Sequence, residues 1–119
     1  VVDACSLEVV ARITGLGSEP SRMVANPAGD RIFVSSSQSA SGTVHAIDTS
    51  TYEVVASAAA GSVQNRTIAI SPDGNRVYTW KVTGPTTIGV LVLDASDLSE
   101  IATVPITGSN CVTGRNDVF

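Results

Sequence analysis

The 119-residue chain is short of the groups that most site chemistry needs. Lys81 is its single lysine, His45 its single histidine and Trp80 its single tryptophan. Charged residues make up 15% and aromatic residues 4% of the chain, against about 25% charge in ordinary domains. With 7 Lys and Arg against 11 Asp and Glu, the formal net charge is −4. No cation cluster is available to neutralise phosphates, which excludes nucleic acid as the main partner. No apolar run approaches the roughly 18 residues of a membrane helix. No CxxCH motif and no His/Cys pair at ligand spacing is present, so neither haem nor metal nor any other cofactor is expected. The scarcity of charge is not disorder, because 43% of residues are hydrophobic and disorder needs the reverse. Pro and Gly break the chain too often for an amphipathic helix. The chain opens on Val1 without a basic-then-apolar leader.

What is present is repetition. Asn26-Pro-Ala-Gly-Asp-Arg-Ile-Phe33 returns as Ser71-Pro-Asp-Gly-Asn-Arg-Val-Tyr78. Val44-His-Ala-Ile-Asp48 returns as Val90-Leu-Val-Leu-Asp94, and Tyr52-Glu-Val-Val-Ala-Ser57 as Leu98-Ser-Glu-Ile-Ala-Thr103. A third copy opens the chain, where Asp3–Ala11 matches Asp48–Ala56. The offsets are 45 or 46 residues throughout. Periods of this length indicate a repeat architecture.

Each full copy reads as four short strands. The first, Ser21–Ala25 or 66–70, ends in a turn with Pro at its second position and Gly at its exit. The second, Arg31–Ser36 or Arg76–Val82, is rich in β-branched and aromatic residues. Loops at Ser37–Gly42 and Thr83–Gly89 lead into the third, Thr43–Ile47 or Val90–Leu93. Asp48 or Asp94 ends it, with a carboxylate suited to bonding the backbone two residues on. The fourth is Tyr52–Ala58 or Glu100–Ile106.

Four strands in about 45 residues is the pattern of a propeller blade. The Ser71–Tyr78 turn, the Val90–Asp94 strand and Val54-Val55-Ala56 resemble the YVTN-type repeats of the WD40/YVTN-like β-propeller superfamily. The resemblance covers about residues 1–110. It implies an all-β fold of four-stranded antiparallel blades, two complete and one partial. The divisions are 1–15 for a half blade, 21–61 and 66–108 for blades, and 109–119 for a tail or the start of another blade. A small β-sandwich is the alternative. The family's characteristic stretch would fall at Tyr78-Thr79-Trp80-Lys81 and Phe33-Val34-Ser35-Ser36, and both depart from it. Propellers close with four to eight blades, so two and a half leave apolar faces open. Either a missing remainder or further copies of the chain would cover them.

No grouping of residues carries catalysis. His45 sits mid-strand, without a triad partner evident from the sequence. Asp3, Asp48 and Asp94 share one repeat position, as do Glu8 and Glu53, which marks structural devices rather than an acid/base pair. Arg31 and Arg76 also recur, as blade-edge residues. Phe33, Tyr78 and Trp80 read as inter-blade packing. Cys5 and Cys111, an even count at the chain's extremes, suit an oxidising compartment and are candidates for a disulfide. In a simple propeller they lie at opposite ends of the strands, farther apart than the roughly 7 Å a disulfide spans. A tail folded back or a bond between copies would be needed, and two buried free thiols are the alternative. Asn65-Arg66-Thr67 makes Asn65 a candidate glycosylation site.

The expectation is therefore a non-enzymatic extracellular or cell-surface protein, the periplasm being the other location, whose blades assemble with other copies into a ring or filament. The alternative is a fragment of a larger propeller enzyme or ligand-binding protein with its site on other blades. The resemblance allows both.

Overall fold

The computed structural model describes residues 1–38, 41–60, 67–84 and 87–106. They form two four-stranded antiparallel sheets and no helix. The first contains β1 (Glu19–Ala25), β2 (Arg31–Gln38), β3 (Ser41–Asp48) and β4 (Val54–Ala59). The second contains β5 (Ile68–Ile70), β6 (Arg76–Gly84), β7 (Thr87–Asp94) and β8 (Glu100–Ile106). Strand order follows chain order in both, so each sheet is a plain meander.

The loops expected at Ser37–Gly42 and Thr83–Gly89 are mostly strand. Pairing runs on to Gln38–Ser41 and to Gly84–Thr87, which shortens each connection to two residues. Serine and threonine side chains fit a pleated surface, so a polar stretch extended the hairpins instead of opening loops. The first strand of blade 1 starts earlier than expected, at Glu19, across a bulge between Pro20 and Arg22. That of blade 2 is described only from Ile68.

The repeat recurs in detail as geometry. Gly29 and Gly74 both have φ of 76° in the turn between the first and second strands. Bulges interrupt the third-to-fourth pairing at Ala46/Ile47 and at Val92/Leu93, one repeat apart. The bulge pushes Val55 and Ile101 outward, and Val10 of the leading copy is exposed at the same repeat position. Leu7, Tyr52 and Leu98, again equivalent, all have positive φ, between 58° and 60°. In each copy that residue's N–H bonds back to Asp3, Asp48 or Asp94, at 2.8–2.9 Å. The leading segment keeps this turn although its pairing is reduced to one bridge, Val2 to Val9.

Register sorts the side chains onto faces. Val24, Phe33, Val44, Ala46, Ala56 and Ala58 share one face of the first sheet. Ile68, Ile70, Val77, Leu91 and Leu93 share one face of the second. These two faces form a single core, in which Phe33, Val44, Ala46, Val77 and Leu91 are fully buried. The sheets approach most closely at their first strands, β1 and β5. A sandwich would turn polar outer faces to water. Here the outer face of the second sheet carries Tyr78, Trp80, Val82, Ile88, Val90 and Val104, which argues for stacked blades over the sandwich alternative.

Candidate functional site

The recurring aspartates are turn devices. Asp48 Oδ1 accepts the Ser50 N–H at 2.8 Å, the Ser50 hydroxyl at 2.5 Å and the Thr51 N–H at 3.1 Å. Asp94 repeats this with Ser96, at 2.8 and 2.5 Å. Asp3 accepts the N–H groups of Cys5 and Ser6, at 2.9 and 2.8 Å. These donors stabilise the ionised form and hold the carboxyls below their ordinary range: the Ser50 hydroxyl foremost for Asp48, the Ser96 hydroxyl for Asp94 and the Ser6 N–H for Asp3. Arg31 and Arg76 lie directly across the ladder from Asp48 and Asp94. Arg31 also reaches the next blade, donating to the Ser96 carbonyl at 3.5 Å.

The Pro-containing turns close alike. Asn26 Oδ1 accepts the Arg31 N–H at 3.1 Å, and Ser71 Oγ accepts the Arg76 N–H at 3.0 Å. The Ser71 hydroxyl in turn donates to Asp73 and is the main cause of that carboxyl's lowered pKa. Among the described residues, no three His, Cys, Asp or Glu side chains gather as they would around a metal ion.

Sequence reasoning missed the polar chain Ser36–His45–Ser57. Cross-strand register puts the three on one face, with Ser57 directly opposite His45 and Ser36 beside it. His45 Nδ1 lies 2.8 Å from Ser57 Oγ, and Nε2 lies 3.1 Å from Ser36 Oγ. Ser36 and His45 are buried. Burial lowers the pKa of His45 and favours the neutral ring, which donates from one nitrogen and accepts at the other. Among the described residues no carboxylate completes a triad. The signal was available in principle, but only once β2, β3 and β4 were paired. In the second blade the same face carries a second polar tie, where Lys81 donates to Glu100 at 2.5 Å and the Thr103 hydroxyl to the other oxygen at 2.7 Å.

The remaining expected residues fall as follows. Phe33 packs between the blades, whereas Tyr78 and Trp80 are half-buried on the outer face. Cys5 is a free, exposed thiol in the leading turn. Cys111, Asn65 and the tail 109–119 lie outside the described residues, and with them the disulfide and glycosylation expectations. At the β1 bulge, an open groove is lined by Glu19, Pro20, Ser21, Arg22 and Ser37.

The surfaces with the most free energy to gain are therefore the uncovered ends of the stack. At one end stands the outer face of the second sheet, where Val82 is 42% and Val104 is 53% exposed. At the other stand Val1, Val2 and Val10 of the leading segment.

Comparison with known proteins bears on how such ends are covered. No protein-family profile matches the chain, and no curated protein does. Solved structures do. A chain of Kuenenia stuttgartiensis hydrazine synthase superposes with a TM-score of 0.77 at 24% identity, over 88% of this chain and 30% of that one. The Dos1 propeller superposes with a TM-score of 0.76 at 18% identity, over 95% of this chain and 28% of that one. The fold is that of β-propeller blades. The dihydro-heme d1 dehydrogenase NirN is a third similar structure, with a TM-score of 0.70 at 24% identity, over 91% and 22% of the two chains. The chain thus spans less than a third of the length of these neighbours. At such identities the likeness concerns fold and carries no activity.

Proposed function

We propose that this chain is a non-enzymatic structural stretch of a larger β-propeller, holding further blades in place through its two apolar ends. One observation carries the reading: a blade face built like the buried one, but left open. Tyr78, Val90 and Val104 on the outer face stand where Phe33, Val44 and Ala58 stand in the buried interface. Inter-blade burial is the main apolar contribution to a stacked repeat, so an open face of this kind calls for a neighbouring blade. The short coverage of the neighbouring structures supports a remainder supplied by the same polypeptide.

A second reading has its own observation. The leading segment has a single bridge and exposed valines, an arrangement that strand addition from another copy would complete. Copies joined head to tail would give a ring or a filament. The YVTN repeat type rests on the motifs of the two Pro-Gly turns. The extracellular location rests on cysteine count and on the Ser- and Thr-rich composition.

The intact mass of the natural polypeptide separates the readings. A product several times heavier than 12.2 kDa, with further repeats in its sequence, is expected. A natural product of 12.2 kDa found in multimeric particles would replace the larger-propeller reading with the self-assembling one.

A further inference from the structure

The Ser36–His45–Ser57 chain lies on the face of the first sheet turned away from the second blade. That face belongs to the seam with the leading half blade. Val34, Ser36, His45 and Ile47 are all buried there, although the second blade packs on the opposite side. The leading segment reaches the seam at its polar end. A Cβ built on Gly17 would stand 3.3 Å from Ser36 Oγ, and the Ser18 hydroxyl donates to the Ser37 carbonyl at 3.3 Å. Ala11, Ile13 and Leu16 of the same segment are half-buried, while most of its other side chains are exposed. Ala11 and Ile13 are the repeat equivalents of Ala56 and Ala58, which point into the interface between the two blades. The half blade therefore sits on the first blade as a second seam, with far less strand pairing of its own.

We propose that His45 makes this seam acid-sensitive: protonation of its imidazole releases the leading half blade from the first blade while the interface between the two full blades stays closed.

Among the described residues the imidazole has no charged partner. Both ring nitrogens are held by hydroxyls. Among the described side chains, the others on its face are Pro20, Met23 and Ala25 from β1, Ile32 and Val34 from β2, Ser41, Thr43 and Ile47 from β3, and Val54 and Ala59 from β4. None is an acid or a base. The leading segment carries the α-amino group of Val1, Asp3, Cys5, Glu8 and Arg12. The Val1 amine donates to the Ala11 carbonyl at 2.7 Å, and Asp3 is spent on its own turn. None of these groups bonds or ion-pairs with His45, so a proton on the ring meets burial with no compensating anion.

The sign follows from where the proton binds better. In the docked state burial holds the His45 pKa below its ordinary value. In the released state the ring is wet and titrates near the ordinary value of about 6.5. The released state thus binds more protons, and docking strength is full above about pH 6.5 and falls as pH drops below it. One proton limits the effect to at most about tenfold per pH unit. The interface between the full blades has no histidine, so it does not share this step.

The chain supplies its own control substitution. Leu91 occupies the position of His45 in the second blade, in a face of the same geometry, so His45→Leu asks the fold for a side chain it already accommodates one repeat on. Because His45 is the single histidine, its imidazole proton resonance titrates without ambiguity. A nitroxide on exposed Cys5, in a Cys111→Ser background, broadens the amide resonances of β3 while the half blade is docked. The expected result has three parts. The imidazole midpoint lies below 6.5, the broadening fades between pH 7.5 and 5, and it stays constant in His45→Leu. Amides of β6 and β7 keep their shifts throughout. A midpoint at or above 6.5, broadening unchanged by pH, or the same fading in His45→Leu each overturns the proposal. Should His45→Leu fail to fold, His45→Gln, which keeps hydrogen-bonding groups and lacks the titration, takes its place with the same outcomes.

Discussion

Replacing Phe33 and Tyr78 by alanine, one at a time, probes the stacking directly, because the two hold one repeat position under different burial. Phe33 is 0% exposed between the blades. Tyr78 is half-buried on the outer face of the second blade. Phe33→Ala removes a fully packed ring and leaves a void against Val77 and Leu91, a change that costs about 3–5 kcal/mol. Aromatic rings bury about 150–250 Å² when enclosed. A half-enclosed Tyr78 thus loses roughly 2–3 kcal/mol at about 25 cal/mol per Å². Urea unfolding of the isolated chain, followed by far-ultraviolet circular dichroism, should give the larger loss for Phe33→Ala with an unchanged m-value. In a particle whose next blade covers the outer face, Tyr78→Ala should rise to the cost of Phe33→Ala. Equal costs in the isolated chain would refute the assignment of Tyr78 to an open face.

Other substitutions test the repeated turns. Gly74→Ala should destabilise more than Gly29→Ala: both glycines have φ of 76°, but a Cβ on Gly74 meets Pro27 Cδ at 3.1 Å whereas one on Gly29 meets open space. Thermal melts of the two variants give the order directly. Leu7→Gly should be neutral or stabilising by up to about 1–2 kcal/mol, since it relieves a positive φ at a side chain that is 77% exposed. Leu98→Gly, at the same repeat position but 3% exposed, should instead destabilise through lost packing, and a matching gain at both sites would contradict the burial assigned to Leu98. Asp48 and Asp94 have lowered pKa values, so their turns contribute stability above the ordinary carboxyl pKa of about 3.9 that is lost as pH falls through the lower folded values. Asp48→Asn should flatten that acid limb in a pH series of urea midpoints, and an unchanged limb would show that the Ser50 and Thr51 bonds do not report on folding.

Much of the blade was legible because it is written twice. Pro27 and Pro72, Gly29 and Gly74, and Asp48 and Asp94 mark turns by chemistry that acts within four or five residues, so one sequence suffices to place them. The positive φ at Leu7, Tyr52 and Leu98 was not legible. Two leucines and a tyrosine share it, none of them a residue that favours it, and the Asp turn before them imposes it. The stretch from Ser37 on read as a loop because its composition is polar. Just before it, the buried hydroxyls of Ser35 and Ser36 find partners on other strands, in Ser21 and His45. The Ser36–His45–Ser57 chain needs the register of three strands, which no local pattern carries. Trp80 read as packing between blades, and the structure places it on the face where a further blade would stack.

Sedimentation equilibrium of chain 1–119 over a wide concentration range tests the central claim most directly. If both ends of the stack are apolar faces that need covering, the apparent mass must exceed 12.2 kDa and rise with concentration. Replacing Val82 and Val104 by lysine should lower it again. A compact species that stays at 12.2 kDa at every concentration would contradict the claim that these faces call for neighbouring blades.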